Sequence, residues 1–122
     1  MSKYRVGIIG AGIMGDIHAK VYRLNPLTEL VAIADINKNK AQAFAEKFEI
    51  PSVYDQFDQM FDECDLDIVS VCTPDFAHAQ PTIAAANKKI NVLVEKPLAT
   101  NVQDALEIIK AAKDNEVKVM AQ

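Results

Sequence analysis

Tyr4-Arg5-Val6-Gly7-Ile8-Ile9-Gly10-Ala11-Gly12-Ile13-Met14-Gly15 is the stretch whose reading decides the fold. Residues 4–9 carry Tyr, Val and Ile around one glycine and read as a short strand. Three glycines follow with the spacing Gly-x-Gly-x-x-Gly, and a helical pattern then runs over residues 16–24, ending before Pro26. Ile17, Val21 and Leu24 share a face of that helix and are expected to point inward. Gly10 would make the tight turn, Gly12 would let a ligand approach the backbone, and Gly15 would let helix and strand pack closely. The spacing alone is a weak signal; a strand before it and a helix after it give it meaning. In that setting the free N–H groups and the positive end of the helix, with Ile13 and Met14 in the turn, suit a pyrophosphate.

Working outward, strand and helix patterns alternate to the end of the chain. Leu30 to Ala34 is a nearly continuous apolar run, as in a strand buried on both faces of a parallel sheet. Asn37 can cap a helix whose inner face is Ala41, Phe44, Ala45 and Phe48. Val53-Tyr54 is a minimal third strand, and residues 56–62 form a short helix. Asp67 to Cys72 is a fourth strand, stopped by Thr73-Pro74. A helix over residues 78–86 tolerates Pro81 only in its first turn. Asn91 to Val94 is a fifth strand, and Val117 to Met120 a sixth. Between them Thr100 and Gln103 match a capping box for a helix with Val102, Leu106, Ile109 and Ala112 inward. Six strands with helical crossovers predict an α/β fold: a doubly wound parallel sheet in the order 3-2-1-4-5-6, the NAD(P)-binding Rossmann arrangement.

Asp35 closes the second strand, 20 residues beyond Gly15, where that arrangement places an acid. A carboxylate there accepts hydrogen bonds from the adenosine ribose of NAD and repels the 2′-phosphate of NADP. NAD is therefore expected over NADP, although Lys38 and Lys40 stand close enough to offset part of the repulsion. Their plainer reading is exposed lysines on a helix.

Composition narrows the alternatives. The 122 residues, with a net charge of −4, fit one domain and lack the basic footprint of a nucleic-acid binder. Apolar runs fall short of the roughly 18 residues that cross a bilayer. The opening segment resembles a signal peptide only until its glycines break it. Cys64 and Cys72 are too few for a disulfide framework or a structural metal site, and a cytoplasmic location is expected. A Gly-Lys-Ser/Thr phosphate loop is missing from the sequence. Cys72 reads as a small buried hydrophobe, Cys64 as a bystander and His18 as a near-surface helix residue.

Two further motifs follow the fourth and fifth strands, whose carboxyl ends border the ligand crevice. They are Thr73-Pro74-Asp75-Phe76-Ala77-His78 and Glu95-Lys96-Pro97. With GIIGAGIMG, Asp35 and VEKPLA, they make nearly the whole chain resemble the N-terminal domain of the glucose-fructose oxidoreductase/inositol dehydrogenase (Gfo/Idh/MocA) family. The resemblance implies that Thr73 and Pro74 lie against the nicotinamide-ribose half of the cofactor, with His78 and Pro97 in the same region. It implies that Glu95 binds ribose and that Lys96 is catalytic, orienting a substrate hydroxyl or carbonyl and assisting proton transfer. Without it, Lys96 would read as a surface lysine before a turn proline.

The chain also departs from the family pattern. Asp75 stands where many members have asparagine, and Asn87-Lys88-Lys89 replaces a usual helix-ending glycine, with Asn87 able to take the left-handed cap. The acidic run over residues 55–67 reads as a solvated face. Members continue into a second α/β domain that binds substrate and usually builds a homo-oligomer, so residues 1–122 are expected to be the dinucleotide-binding domain alone. The expected parent is an NAD(P)-dependent oxidoreductase acting on a sugar- or polyol-type hydroxyl or carbonyl. The alternative is a non-catalytic dinucleotide-binding module or sensor.

Overall fold

The computed structural model describes residues 3–121, apart from the side chain of Asp75. Among these residues the strands are β1 (Tyr4–Ile9), β2 (Thr28–Ala34), β3 (Ser52–Tyr54), β4 (Ile68–Val71), β5 (Asn91–Val94) and β6 (Val119–Ala121). The helices are α1 (Ile13–Leu24), α2 (Lys38–Phe48), α3 (Phe57–Glu63), α4 (Ala79–Asn87) and α5 (Val102–Asn115), with one 3₁₀ turn over Asp75–Ala77. The strands form one parallel sheet in the order β3-β2-β1-β4-β5-β6. This is the doubly wound sheet read from the sequence. Its direction of winding reverses between β1 and β4, and the loops after these two strands therefore open a crevice at their carboxyl ends.

Two cores hold the layers. Ile8 and Ile33 on one face meet Ala19 of α1 and Ala41, Phe44, Ala45 and Phe48 of α2. On the other face Ile9, Val69, Val71, Val92 and Val94 meet Met60 and Phe61 of α3 and Ala85 of α4. Between β1 and β2 the register slips by one residue, so that Val6 faces Leu30 but Gly7 faces Ala32. The extra residue, Val31, consequently joins the same core as Ala32 instead of alternating away from it.

Four local expectations are corrected. In α1 the residues turned inward are Gly15, His18 and Ala19, whereas Ile17, Val21 and Leu24 are 46%, 60% and 85% exposed. A Cβ at Gly15 would collide with the carbonyl oxygen of Gly10, so Gly15 must lie on the sheet side. Residues three, four and seven further on then share its face. In α5 the cap is Asn101, whose Oδ1 accepts from the Asp104 N–H at 2.8 Å, and not Thr100. Gln103 instead donates to Glu107 at 3.1 Å. The same helix buries Ile108 and Ala111 while Val102, Leu106 and Ile109 stay exposed and Ala112 is half-buried. The helix has apolar residues on both sides, and packing against α4 selects one. After α4 the left-handed residue is Lys89 (φ 62°), not Asn87, which is still helical.

Candidate dinucleotide site

The glycine turn is built by close approach. Gly10 has φ +104°, and a Cβ there would stand 2.5 Å from the carbonyl oxygen of Cys72. Gly12 caps α1 without a side-chain bond, and a Cβ on it would meet no atom within 4 Å. The space ahead of the helix is thus open, and the N–H groups of Ile13 and Met14 in its first turn have no intrahelical acceptor. Such a cradle fits a pyrophosphate.

Asp35 lies beside this turn. Its Oδ2 accepts from the Ala11 N–H at 2.8 Å and its Oδ1 from the Asn37 N–H at 2.8 Å. Each carboxylate oxygen has a second lone pair, so the half-buried side chain keeps acceptor capacity for ribose hydroxyls. A cleft of about 510 Å3 runs from here across the crevice. Gly10, Gly12, Asp35, Thr73 and Pro74 line it, together with Lys40 and with residues that carry no site expectation from the sequence: Asn37, Asp55, Gln56, Phe57, Cys72 and Phe76. Of the two lysines weighed above, both are exposed and Lys40 reaches the cleft wall. Asp55, read as part of a solvated acidic face, is half-buried in the wall because the loop after β3 adjoins the end of β2. A smaller apolar hollow of about 420 Å3, between α5 and β6, contains none of the expected site residues.

Glu95, Lys96, Pro97 and His78 do not line the cleft; they form a cluster next to it. His78 is fully buried, with Nδ1 2.7 Å from the Pro97 carbonyl oxygen and Nε2 2.7 Å from that of Thr73. It therefore sits between the turn after β4 and the turn after β5, within hydrogen-bond distance of a carbonyl of each. Thr73 Oγ1 donates to the Ala77 carbonyl at 2.9 Å, closing the first of these turns. The Lys96-Pro97 bond is cis, and Lys96 itself is exposed. The side chain of Asp75, a departure from the family pattern, lies outside the described residues.

The feature missed from sequence is a buried polar chain. His18 is 5% exposed, with Nε2 2.6 Å from Glu95 Oε1 and Nδ1 3.0 Å from Ser70 Oγ. Tyr22 Oη lies 2.6 Å from the same Ser70 oxygen. An apolar face drawn through Ile17 and Val21 had left His18 outside; the three-residue step from Gly15 to His18 was the available signal.

Electrostatics act on Cys72 and on the first-turn acid Asp16. Burial, helped by the negative charge of Glu95, pushes the Cys72 thiol up to about 12, which suits a packing residue and not a nucleophile. Asp16 is held below its usual range by Lys47 first and Lys20 second, both bonded to its carboxylate. Among the described residues, no three His, Cys, Asp or Glu side chains cluster to hold a metal, and no helix is long and apolar enough to cross a membrane.

Comparison with known proteins gives a consistent result. Residues 4–122 match the model of an oxidoreductase family with an NAD-binding Rossmann fold. The chain is 39% identical over 113 residues to D-glucoside 3-dehydrogenase of Escherichia coli, covering 92% of this chain and 32% of that one. It is 31% identical to myo-inositol 2-dehydrogenase of Thermotoga maritima, covering 93% and 34%. Among solved structures, the WlbA dehydrogenase from Chromobacterium violaceum in complex with NADH and UDP-GlcNAcA superposes with a TM-score of 0.94 at 26% identity. That match covers 100% of this chain and 35% of the other. An NAD-binding oxidoreductase from Klebsiella pneumoniae gives 0.91 at 31% identity, covering 99% and 34%. The chain thus spans about a third of the length of the relatives it matches. The glycine turn, Asp35 and the parallel sheet behind them, together with these matches, show that the chain is an NAD-binding Rossmann domain and belongs to the Gfo/Idh/MocA oxidoreductase family.

Proposed function

We propose that this chain is the cofactor-binding domain of a dehydrogenase that moves hydride to or from a carbon bearing a sugar- or polyol-type hydroxyl. The observation that carries the reading is the continuity of the cleft. It begins at Gly10, Gly12 and Asp35, reaches Thr73 and Pro74, and is joined through His78 to the turn of Glu95, Lys96 and Pro97. In this reading the N–H groups of Gly12, Ile13, Met14 and Gly15 receive the pyrophosphate, and Asp35 receives the adenosine ribose. Thr73, Pro74 and His78 shape the nicotinamide-ribose end, and Glu95 binds there. NAD, when bound, supplies or accepts the hydride. Lys96 orients the substrate oxygen and takes or returns its proton, a role that suits an exposed amine at the edge of a cofactor cleft. NAD is preferred to NADP because a 2′-phosphate would meet the Asp35 carboxylate. Lys40, on the cleft wall, tempers that preference.

A second domain completes the site and reads the substrate, in a protein assembled as a homo-oligomer. The longer relatives, at about three times this length, support that division. So do the exposed apolar faces of α1 and α5.

Titration of the complete protein with NADH and NADPH tests the cofactor assignment. NADH should bind more tightly, and Asp35→Ala should cut that preference about 10-fold, the weight of one charge-assisted hydrogen bond. Equal affinities in the unmodified protein would refute the ribose assignment. Lys96→Ala should lower turnover by about 10²- to 10⁴-fold, the span of general acid–base catalysis, with far less change in NADH affinity. Undiminished turnover would remove Lys96 from the reaction.

A further inference from the structure

The chain Tyr22–Ser70–His18–Glu95 joins α1, β4 and the loop after β5, residues as far as 77 positions apart in sequence. The side chains of His18 and Glu95 are only 4% and 15% exposed, and Ser70 is fully buried. A carboxylate can only accept, so Nε2 of His18 donates to Glu95. With the other ring nitrogen accepting, the Ser70 hydroxyl donates to Nδ1 and in turn accepts from the Tyr22 hydroxyl. Every bond then runs toward Glu95, and among the described residues no buried side-chain N or O lacks a partner.

Burying an acid, an imidazole and two hydroxyls is an expensive way to fasten a helix to a sheet. Apolar side chains of similar volume do that at least as well, and Ala19 does it one position away. What apolar residues cannot do is place a negative charge. The placement here is specific. The Glu95 N–H donates to the Val71 carbonyl at 3.1 Å, which sets the residue at the carboxyl edge of the sheet. Its charge is felt by the thiol of Cys72, a residue of the cleft wall. Lys96 follows directly and is itself followed by Pro97, whose carbonyl is held by His78. The exposed lysine therefore sits between two anchored neighbours, the arrangement that holds a reacting group in place before its ligand arrives.

We propose that His18, Ser70 and Tyr22 are positioning residues that hold the Glu95 carboxylate, and with it the Lys96 turn, at the nicotinamide end of the cofactor site. The inference rests on the dinucleotide reading above. It distinguishes the two halves of the cofactor: the adenosine diphosphate half is held by the glycine turn and Asp35, and only the nicotinamide riboside half depends on the buried chain.

ADP and NADH, titrated against the complete protein, separate these halves. His18→Leu should weaken NADH about 10-fold relative to ADP, as loss of one charge-assisted hydrogen bond implies. His18→Gln, which retains an N–H able to reach Glu95, should restore most of the difference. Ser70→Ala and Tyr22→Phe should shift the same ratio by about 2- to 3-fold, a neutral hydrogen bond each. A purely structural role would lower the melting temperature and leave the ratio unchanged. Should His18→Leu fail to fold, Tyr22→Phe, which removes a single hydroxyl, decides the question. A ratio unmoved in every folded variant overturns the inference alone. Failure of the unmodified protein to bind ADP overturns the dinucleotide reading, and this inference with it.

Discussion

At the scale of the residue, the three glycines of one motif do different work, and mutation should separate them. Gly10→Ala forces a side chain into φ +104° and against the Cys72 carbonyl, and Gly15→Ala drives a methyl into the Gly10 carbonyl. Each should cost about 2–4 kcal/mol in urea unfolding, as strained backbone and overpacked contacts do. Gly12→Ala meets no atom within 4 Å and should change stability by less than about 1 kcal/mol, while weakening NADH through the space it takes from the phosphates. Cys72 offers a second test. Its thiol is raised from 9.0 to about 12 by burial, and burial also raises the Tyr22 phenol. A group raised on folding stabilises the fold fully below its unfolded value and loses that contribution as pH climbs toward the folded one. The melting temperature should therefore fall between about pH 9 and about pH 12, and Cys72→Ala should flatten the fall. At pH 8 iodoacetamide should leave Cys72 of the folded protein unmodified, because the thiolate is the reactive form. The spacing of the glycines and the acid 20 residues on were legible in the sequence, since each needs only local backbone chemistry. The burial of His18 was not, because its partners lie 52 and 77 residues away.

At the scale of the element, the sequence patterns located every strand and helix, yet not which way α1 and α5 face. In both helices apolar residues occupy more than one side, so periodicity offers two stripes. In α1 the contact between Gly15 and the Gly10 carbonyl chooses the polar-looking stripe. In α5 the neighbouring α4 chooses Ile108 and Ala111. The start of α5 behaves likewise: Thr100 and Asn101 are both good caps, and the backbone places Asn101 at the boundary, with φ −150° and ψ 163°. Asn101→Ala should destabilise the fold by about 1 kcal/mol, the usual weight of an N-cap, whereas Thr100→Ala should change it by less than about 0.5 kcal/mol. Thermal denaturation of the two variants side by side checks this, and the reverse order would restore the capping box read from the sequence.

For the whole molecule, the reversal of winding between β1 and β4 sets the cleft, and the layers leave two apolar surfaces bare. Ile13, Val21 and Leu24 on α1, and Val102, Leu106 and Ile109 on α5, are each more than half exposed. Prepared as these 122 residues, the protein should associate with rising concentration in sedimentation experiments. Replacing Leu106 and Ile109 by Glu and Lys should reduce that association while changing stability by no more than about 1 kcal/mol, as exposed sites allow. The amino-acid sequence by itself determined the αβ alternation, the parallel sheet and its order, the glycine turn after β1 and the acid that closes β2. These follow from rules that act over a few residues or that restrict how crossovers can run. The tertiary structure alone decided which helix faces are covered, that Asp35 braces the glycine turn it serves, and that His18 meets Glu95. Those contacts join segments distant in sequence, and only the packing of β4 and β5 beside β1 brings them within hydrogen-bond reach.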